Sequence, residues 1–292
     1  MIAFNFNIHF QDESSLDDGI YDTDKENIYI LKSIDSNAFS ELSLKSDYIP
    51  MSDREVCYGA EKAYAECKEG CIWGVDVKGL VSFVWHCGER SLIYTPQKEF
   101  TPQLLQFWVL HTMLPLMLSL DENYNILHVG AVEVAGHPIL FSAESFGGKS
   151  TITDYFLKQG HTLLSDDTLG IYEEQGTFMA VASYPFHRPY RETESLGYKV
   201  TKVMKNPKPL KAVYLLEKSE PDAVVVIEEL KGIAKYKAFH FSTFINFDFL
   251  KEQRFRTLSA MADRIPVYKI TLPWDLERLS EIHEKIVHNS SL

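Results

Sequence analysis

The segment Ser142-Ala143-Glu144-Ser145-Phe146-Gly147-Gly148-Lys149-Ser150-Thr151 constrains the fold of this 292-residue chain more than any other stretch. It nearly matches the phosphate-cradling pattern G-x-x-x-x-G-K-[ST], with Ala143 where the first glycine would stand. The apolar run HPILF precedes it, and TITDYFLKQG follows with helical character and stops at Gly160. Strand, tight turn and helix N-terminus in that order aim backbone N–H groups at one anion. Gly147 and Gly148 let the backbone approach phosphate, Lys149 brings positive charge to the β and γ phosphates, and Ser150 offers a hydroxyl to Mg2+. Every residue from Ser142 to Thr151 is therefore a candidate for nucleotide binding. Ala143 raises one question, because the first position can need φ > 0, which alanine disfavours.

Asp166 and Asp167 follow the strand-like HTLLS, sixteen residues beyond Ser150. That distance lets the helix run out and a neighbouring strand return beside the turn. Two adjacent carboxylates can hold magnesium and deprotonate a hydroxyl nucleophile. The assignment is Asp166 as base and Asp167 with Ser150 on the metal, with the two roles exchangeable. An isolated Asp-Asp would read as a solvated turn; its coupling to the cradle favours chemistry. His128, in Leu127-His128-Val129-Gly130 one strand before the cradle, is placed to meet a phosphate or the incoming hydroxyl, although a lone histidine is more often structural. Further on, His187-Arg188-Pro189-Tyr190-Arg191-Glu192 carries two arginines. Arg188 and Arg191 can clamp phosphate or an acidic substrate, or belong to an ordinary solvated loop.

Around this centre the chain reads as α/β. In residues 1–100 the stretches IAFNFNIHF, NIYILKSI, CIWGVDV, LVSFVWHC and RSLIYT alternate as strands of a β-rich, antiparallel N-terminal domain, with Ser52 to Cys67 as an intervening helix. Thr101-Pro102 opens a long apolar helix to about Leu120 and, with it, a second domain over 101–292. There ILHVGAVEVAG and HPILFSAE form two strands joined at a turn containing Gly136, and HTLLSD and TLGIYEE flank the acidic pair. LKAVYLLEK and VYKITL are core strands. Helices are expected over Ile227 to about Tyr236, Leu250 to Ala262 and Leu276 to Val287. Alternating strands and helices of this kind build α/β folds.

Composition narrows the partners. The formal charge of −12, from 41 acidic and 29 basic residues, repels the phosphate backbone of nucleic acid, so none is expected. The first residues carry neither a basic region nor a cleavable apolar run. The apolar run Leu104 to Leu120 is broken by His111 and Pro115 and is short for a bilayer, so it reads as a buried helix. A cytoplasmic protein without membrane contact is expected, and self-association into a homo-oligomer is left open. Cys57, Cys67, Cys71 and Cys87, one close pair and two strays, suit neither a zinc site nor a disulfide framework, and thiols are expected.

The ordered motifs LHVGAVEVAG, SAESFGGKST, KQGH and LLSDD, from Leu127 to Ile171, resemble the catalytic domain of bacterial HPr kinase/phosphorylase. That family shares its nucleotide-binding fold with phosphoenolpyruvate carboxykinase. The resemblance implies a P-loop kinase core of that type, using ATP and Mg2+. Lys149 and Ser150 would contact the phosphates and magnesium, Asp166 or Asp167 would be the base on a serine-type hydroxyl, and His128 would lie beside the reacting phosphate. Where the family carries E-I-R-G-x-G, this chain reads YPFHRPYRETESLG. Its layout looks more like related kinases of peptide-modification clusters, which place a small divergent domain and a long apolar helix ahead of an LH-x-x-AVE-like strand ending at Glu133. The acceptor this implies is a peptide or small-molecule hydroxyl, most sharply the C-terminal serine of a lasso-type precursor peptide. A sugar or other small alcohol, or a regulatory module that binds ATP without transfer, are the alternatives. No N-K-x-D segment marks a guanine reader.

Overall fold

Alternation of apolar and polar side chains in the first hundred residues resolves into strands β1 (Ile2–Ala3), β2 (Phe6–Phe10), β3 (Asn27–Lys32), β4 (Leu44–Lys45), β5 (Ile49–Met51), β6 (Arg54–Ala60), β7 (Ile72–Val77), β8 (Val81–His86) and β9 (Ser91–Pro96) in the computed structural model. The structure describes residues 1–292 except 17, 35, 36, 52, 68, 121–123, 145, 190, 191, 291 and 292. The chain divides into two units, Met1–Asp121 with Glu192–Ser195, and Glu122–Arg191 with Leu196–Leu292.

In the first unit one sheet runs β1-β2-β3-β9-β8-β7-β6-β4, with β5 also on β6. It is not purely antiparallel as expected: β3 lies parallel to both β2 and β9. Parallel neighbours need a long connection, and residues 11–26 supply one between β2 and β3. The helix expected over Ser52 to Cys67 is instead β6 followed by a single 3-10 turn, Tyr64–Glu66. Tertiary pairing decided this, since β6 aligns with β7 from Val56↔Val77 to Ala60↔Trp73. The paired glycines Gly59 and Gly74 open a slot in the sheet face. A Cβ on either would come within 2.8 Å of Phe39 and Leu42, which fill that slot.

The apolar run forms α1 (Pro102–Trp108), a π turn (Val109–Met113) and α2 (Leu114–Leu120). Thr101 caps it, its hydroxyl accepting from the Leu104 N–H at 3.2 Å. Pro115 cannot donate to the preceding turn, which accounts for the widening just before it. By length and composition this stretch could cross a membrane, but Leu105, Phe107, Trp108, Leu110, Leu114 and Leu116 are buried as in a core helix. It belongs to the first unit, so the boundary lies about twenty residues later than the pattern break at Thr101 suggested. Arg54, Glu194 and Trp108 lock it there: the Arg54 guanidinium donates to both Glu194 carboxylate oxygens at 2.8 and 2.9 Å, and Trp108 Nε1 donates to Oε1 at 2.7 Å. Cys67 and Cys71 form a disulfide, correcting the expectation of four thiols; Cys57 and Cys87 are free. The backbone brings that pair's Cα atoms to 5.2 Å, within bonding range.

The second unit holds β10 (Asn125–His128), β11 (Gly130–Val134), β12 (His137–Ser142), α3 (Lys149–Lys158), β13 (Thr162–Ser165), β14 (Thr168–Glu174), β15 (Thr177–Val181), β16 (Phe186–His187), β17 (Tyr198–Lys199), β18 (Lys208–Pro209), β19 (Ala212–Ser219), β20 (Ile227–Glu229), α4 (Ile233–Phe241), α5 (Lys251–Arg264), β21 (Val267–Pro273) and α6 (Leu279–Ser290). A six-stranded sheet runs β13-β11-β12-β19-β21-β20, and a four-stranded one β10-β14-β15-β18. The first is buried on both faces, the mark of mixed α/β architecture. Val132, Phe141, Tyr214 and Ile270 pack with Ile152 and Phe156 of α3 and Ile282 and Ile286 of α6. Alternate residues Ala131, Leu140 and Val213 face the other way, toward Leu169 and Ile171 of β14 and the helices α4 and α5. Two expectations change here. The run ILHVGAVEVAG breaks at Val129 into strands of different sheets, because the Val129 N–H donates to Asp167 O rather than continuing a ladder. The start of the helix expected over Ile227 to Tyr236 is a strand paired with β21, and α4 begins only after Gly232, at φ +54°.

Candidate active site

Strand register brings the motifs to one sheet edge. β11 is antiparallel to both β12 and β13, with Gly130 opposite Phe141 and Ala131 opposite Ser165. The cradle that leaves the end of β12 and the acidic pair that leaves the end of β13 therefore emerge beside the start of β11, just after His128. β19 and β21 run parallel to β12 and end at that same edge, where ligands of open α/β sheets bind.

The turn between β12 and α3 makes two left-handed steps. Gly148 caps α3 at φ +91° and Phe146 stands at φ +60°, 79% exposed, while Gly147 N–H donates to Glu144 O at 3.0 Å. A Cβ on Gly147 would sit 2.7 Å from Ala143 Cβ and 2.9 Å from Glu144 O, so only glycine fits. Ala143 is not among the positive-φ residues, which answers the question its presence raised: the left-handed steps fall on Phe146 and Gly148. Lys149 is buried, and its ammonium donates to the carbonyls of Ala143 (3.0 Å) and Glu144 (3.4 Å), placing the charge within the turn. Ser150 and Thr151 occupy the first turn of α3. Ser142 lies behind the cradle, its hydroxyl 2.6 Å from that of Ser242, and serves packing against α4. Ser145 and Arg191 lie outside the described residues.

The two aspartates meet different surroundings. Asp166 is buried; one oxygen accepts the Arg188 backbone N–H at 2.7 Å, and the other lies 3.2 Å from His187 Nδ1, an ion-pair distance without the alignment of a hydrogen bond. Asp167 is more open and pairs with His128, Nδ1 to Oδ1 at 3.2 Å. The structure thus sets His128 against Asp167, and the part of Arg188 that meets Asp166 is its backbone. Glu133 lies at the far end of β11, opposite Pro138, and pairs with Lys208 at 2.9 Å.

Two residues escaped sequence reasoning. His187 is fully buried and bridges the centre, with Nε2 3.3 Å from Asp154 on α3 and Nδ1 facing Asp166, so it ties the cradle helix to the acidic loop. Tyr184 is buried beside the pair. Loss of hydration first, then the charges of Asp167 and Asp166, hold its phenol far above the usual value, so it stays protonated. Neither has a sequence signal beyond its position after β15.

The donor set fits a magnesium–nucleotide pair. A helix N-terminus, an ammonium within the turn and a first-turn hydroxyl at Ser150 are groups that hold phosphate oxygens and a hard cation. Among the described residues no three His, Cys, Asp or Glu side chains gather into a metal cage, so magnesium would share its shell with phosphate, as it commonly does.

No protein-family model matches the chain, and no curated protein is similar to it in sequence. Among solved structures, the HPr(Ser) kinase/phosphatase from Coxiella burnetii matches 56% of this chain and 94% of its own at 14% identity, with a TM-score of 0.33. That likeness is distant, and what the site can do is carried by its own residues and geometry.

Proposed function

We propose that this chain is an ATP- and Mg2+-dependent kinase with a P-loop core of the HPr kinase/phosphoenolpyruvate carboxykinase type, transferring a phosphoryl group to a hydroxyl. The observation that carries this reading is the register that delivers the phosphate cradle and a histidine-paired aspartate to one sheet edge. Magnesium, when bound with the nucleotide, supplies neutralisation of the phosphate charge. Lys149 and the N-terminus of α3 hold the phosphates, and Ser150 offers its hydroxyl to the metal. Asp167, open and paired with His128, takes the acceptor proton, while Asp166, anchored by the Arg188 N–H and facing His187, fixes the loop that presents it. This moves the base role from Asp166, where the sequence reading put it, to Asp167, and leaves Asp166 a positioning role. The motifs do not separate a peptide serine from a small alcohol; the layout resemblance favours a peptide or small-molecule hydroxyl, most sharply a C-terminal serine of lasso type.

Mass spectrometry of the protein with ATP and Mg2+ against serine-ended peptides, HPr and simple sugars tests this. One phosphate gained by an acceptor, and turnover reduced by about 10²- to 10⁴-fold in Asp167→Asn with ATP still bound, is the expected result. Full activity in Asp167→Asn would sink the base assignment. ATP bound without transfer to any acceptor would favour the regulatory module.

A further inference from the structure

At the C-terminal end of β21 an apolar cleft of about 250 Å3 opens between Gly148, Thr151 and Ile152 on one side and Leu272, Trp274 and Leu276 on the other. Its position is tied to the cradle. A Cβ on Gly148 would lie 3.0 Å from Leu272 Cδ2 and 3.5 Å from Trp274 Cζ3, so the glycine that caps α3 also admits the indole against the turn. Trp274 is 45% exposed; the Lys218 ammonium sits 3.9 Å from its ring centroid, and its backbone N–H donates to Ser219 O at 3.2 Å, which fixes the chain at this point. Asp275 then caps the following 3-10 turn through the Glu277 N–H at 2.9 Å, which fixes Leu276 at the mouth. The volume falls below the roughly 300–1,000 Å3 of sites that enclose a whole small molecule. It suits one flat ring whose polar remainder leaves past Gly148, toward the N-terminus of α3.

We propose that this cleft receives the purine base of the nucleotide, with Trp274 as its aromatic wall. The inference rests on the nucleotide reading of the cradle, and the two are separable by ligand. Calorimetric titration of the full chain with Mg2+ compares ATP with inorganic tripolyphosphate, which carries phosphates without a base. The wild type binds ATP more tightly. Trp274→Ala weakens ATP by about tenfold to a hundredfold, the loss typical of a removed base stack, and leaves tripolyphosphate unchanged. Trp274→Phe, which keeps a flat face, recovers most of that loss. Should Trp274→Ala fold poorly, Leu276→Gln at the exposed mouth gives the same selective weakening, several-fold in size. Equal losses for both ligands, or no loss for ATP, would overturn the base site while leaving the cradle standing. Lys149→Ala weakens both ligands together; a wild type that bound neither would bring down cradle and base site alike.

Discussion

At the acidic pair, two adjacent side chains of one type meet different surroundings because they leave the backbone in different directions. Asp166 points into the protein toward His187 and the Arg188 N–H, and Asp167 points to the open edge beside His128. His187 is the residue on which this arrangement depends, since it sits between two carboxylates on separate elements. Its removal leaves the buried Asp166 without its imidazole neighbour, while Asp154 keeps Lys158 at 2.6 Å. Breaking such a buried contact from one side costs about 3 kcal/mol. Chemical denaturation of His187→Ala should show a loss of that order, and a loss below about 1 kcal/mol would mean that the bridge carries little. The sequence flagged this segment for its arginines. It gave no sign that the histidine faced inward, because burial of one imidazole depends on which elements surround it.

At the scale of elements, α3 is fastened at both ends. At its start Gly130 of β11 lies so close that a Cβ would meet Thr153 Oγ1 at 2.3 Å, and that hydroxyl donates to Lys149 O at 2.8 Å. Past its end, His161 Nε2 lies 2.9 Å from His283 Nε2 of α6, while His161 Nδ1 meets Glu133 O at 3.1 Å. Burial lowers the proton affinity of both imidazoles; at His161 the bond to the Glu133 carbonyl opposes this and Lys202 adds to it, and at His283 His161 adds to it while Glu284 opposes it. Two ring nitrogens at this distance share one proton, so a second proton would set donor against donor. The unfolded chain takes up protons near the ordinary value of about 6.5 before the folded one does. Stability is therefore complete above that pH and falls as the pH drops through it toward the lowered folded values. The urea midpoint should decrease between pH 7.5 and pH 5.5, and the decrease should shrink in His283→Gln. An identical decrease in that variant would place the pH dependence elsewhere.

At the scale of the whole molecule, the two units differ in what holds them. The first is a single sheet with its buried helix and one short cross-link; the second packs its six-stranded sheet between helices on one face and a second sheet with helices on the other, and carries the candidate site. The Cys67–Cys71 loop is short, so in the chain-entropy account it contributes only about 2 kcal/mol. Titration of the denatured, unreduced chain should find the two thiols of Cys57 and Cys87. Four thiols would show that the cross-link does not persist in the protein as isolated. By itself the sequence determined the cradle, the helix after it, the acidic pair and most strands of the second unit. Those are local patterns, in which glycine, lysine and apolar periodicity act within a few residues. Only the tertiary structure decided that residues 54–60 pair as a strand, that the long helix joins the first unit, that His187 and Tyr184 lie by the acidic pair, and that Trp274 lies beside Gly148. Those outcomes depend on which distant surfaces meet, and sheet pairing and burial are properties of the assembled chain rather than of any window of it.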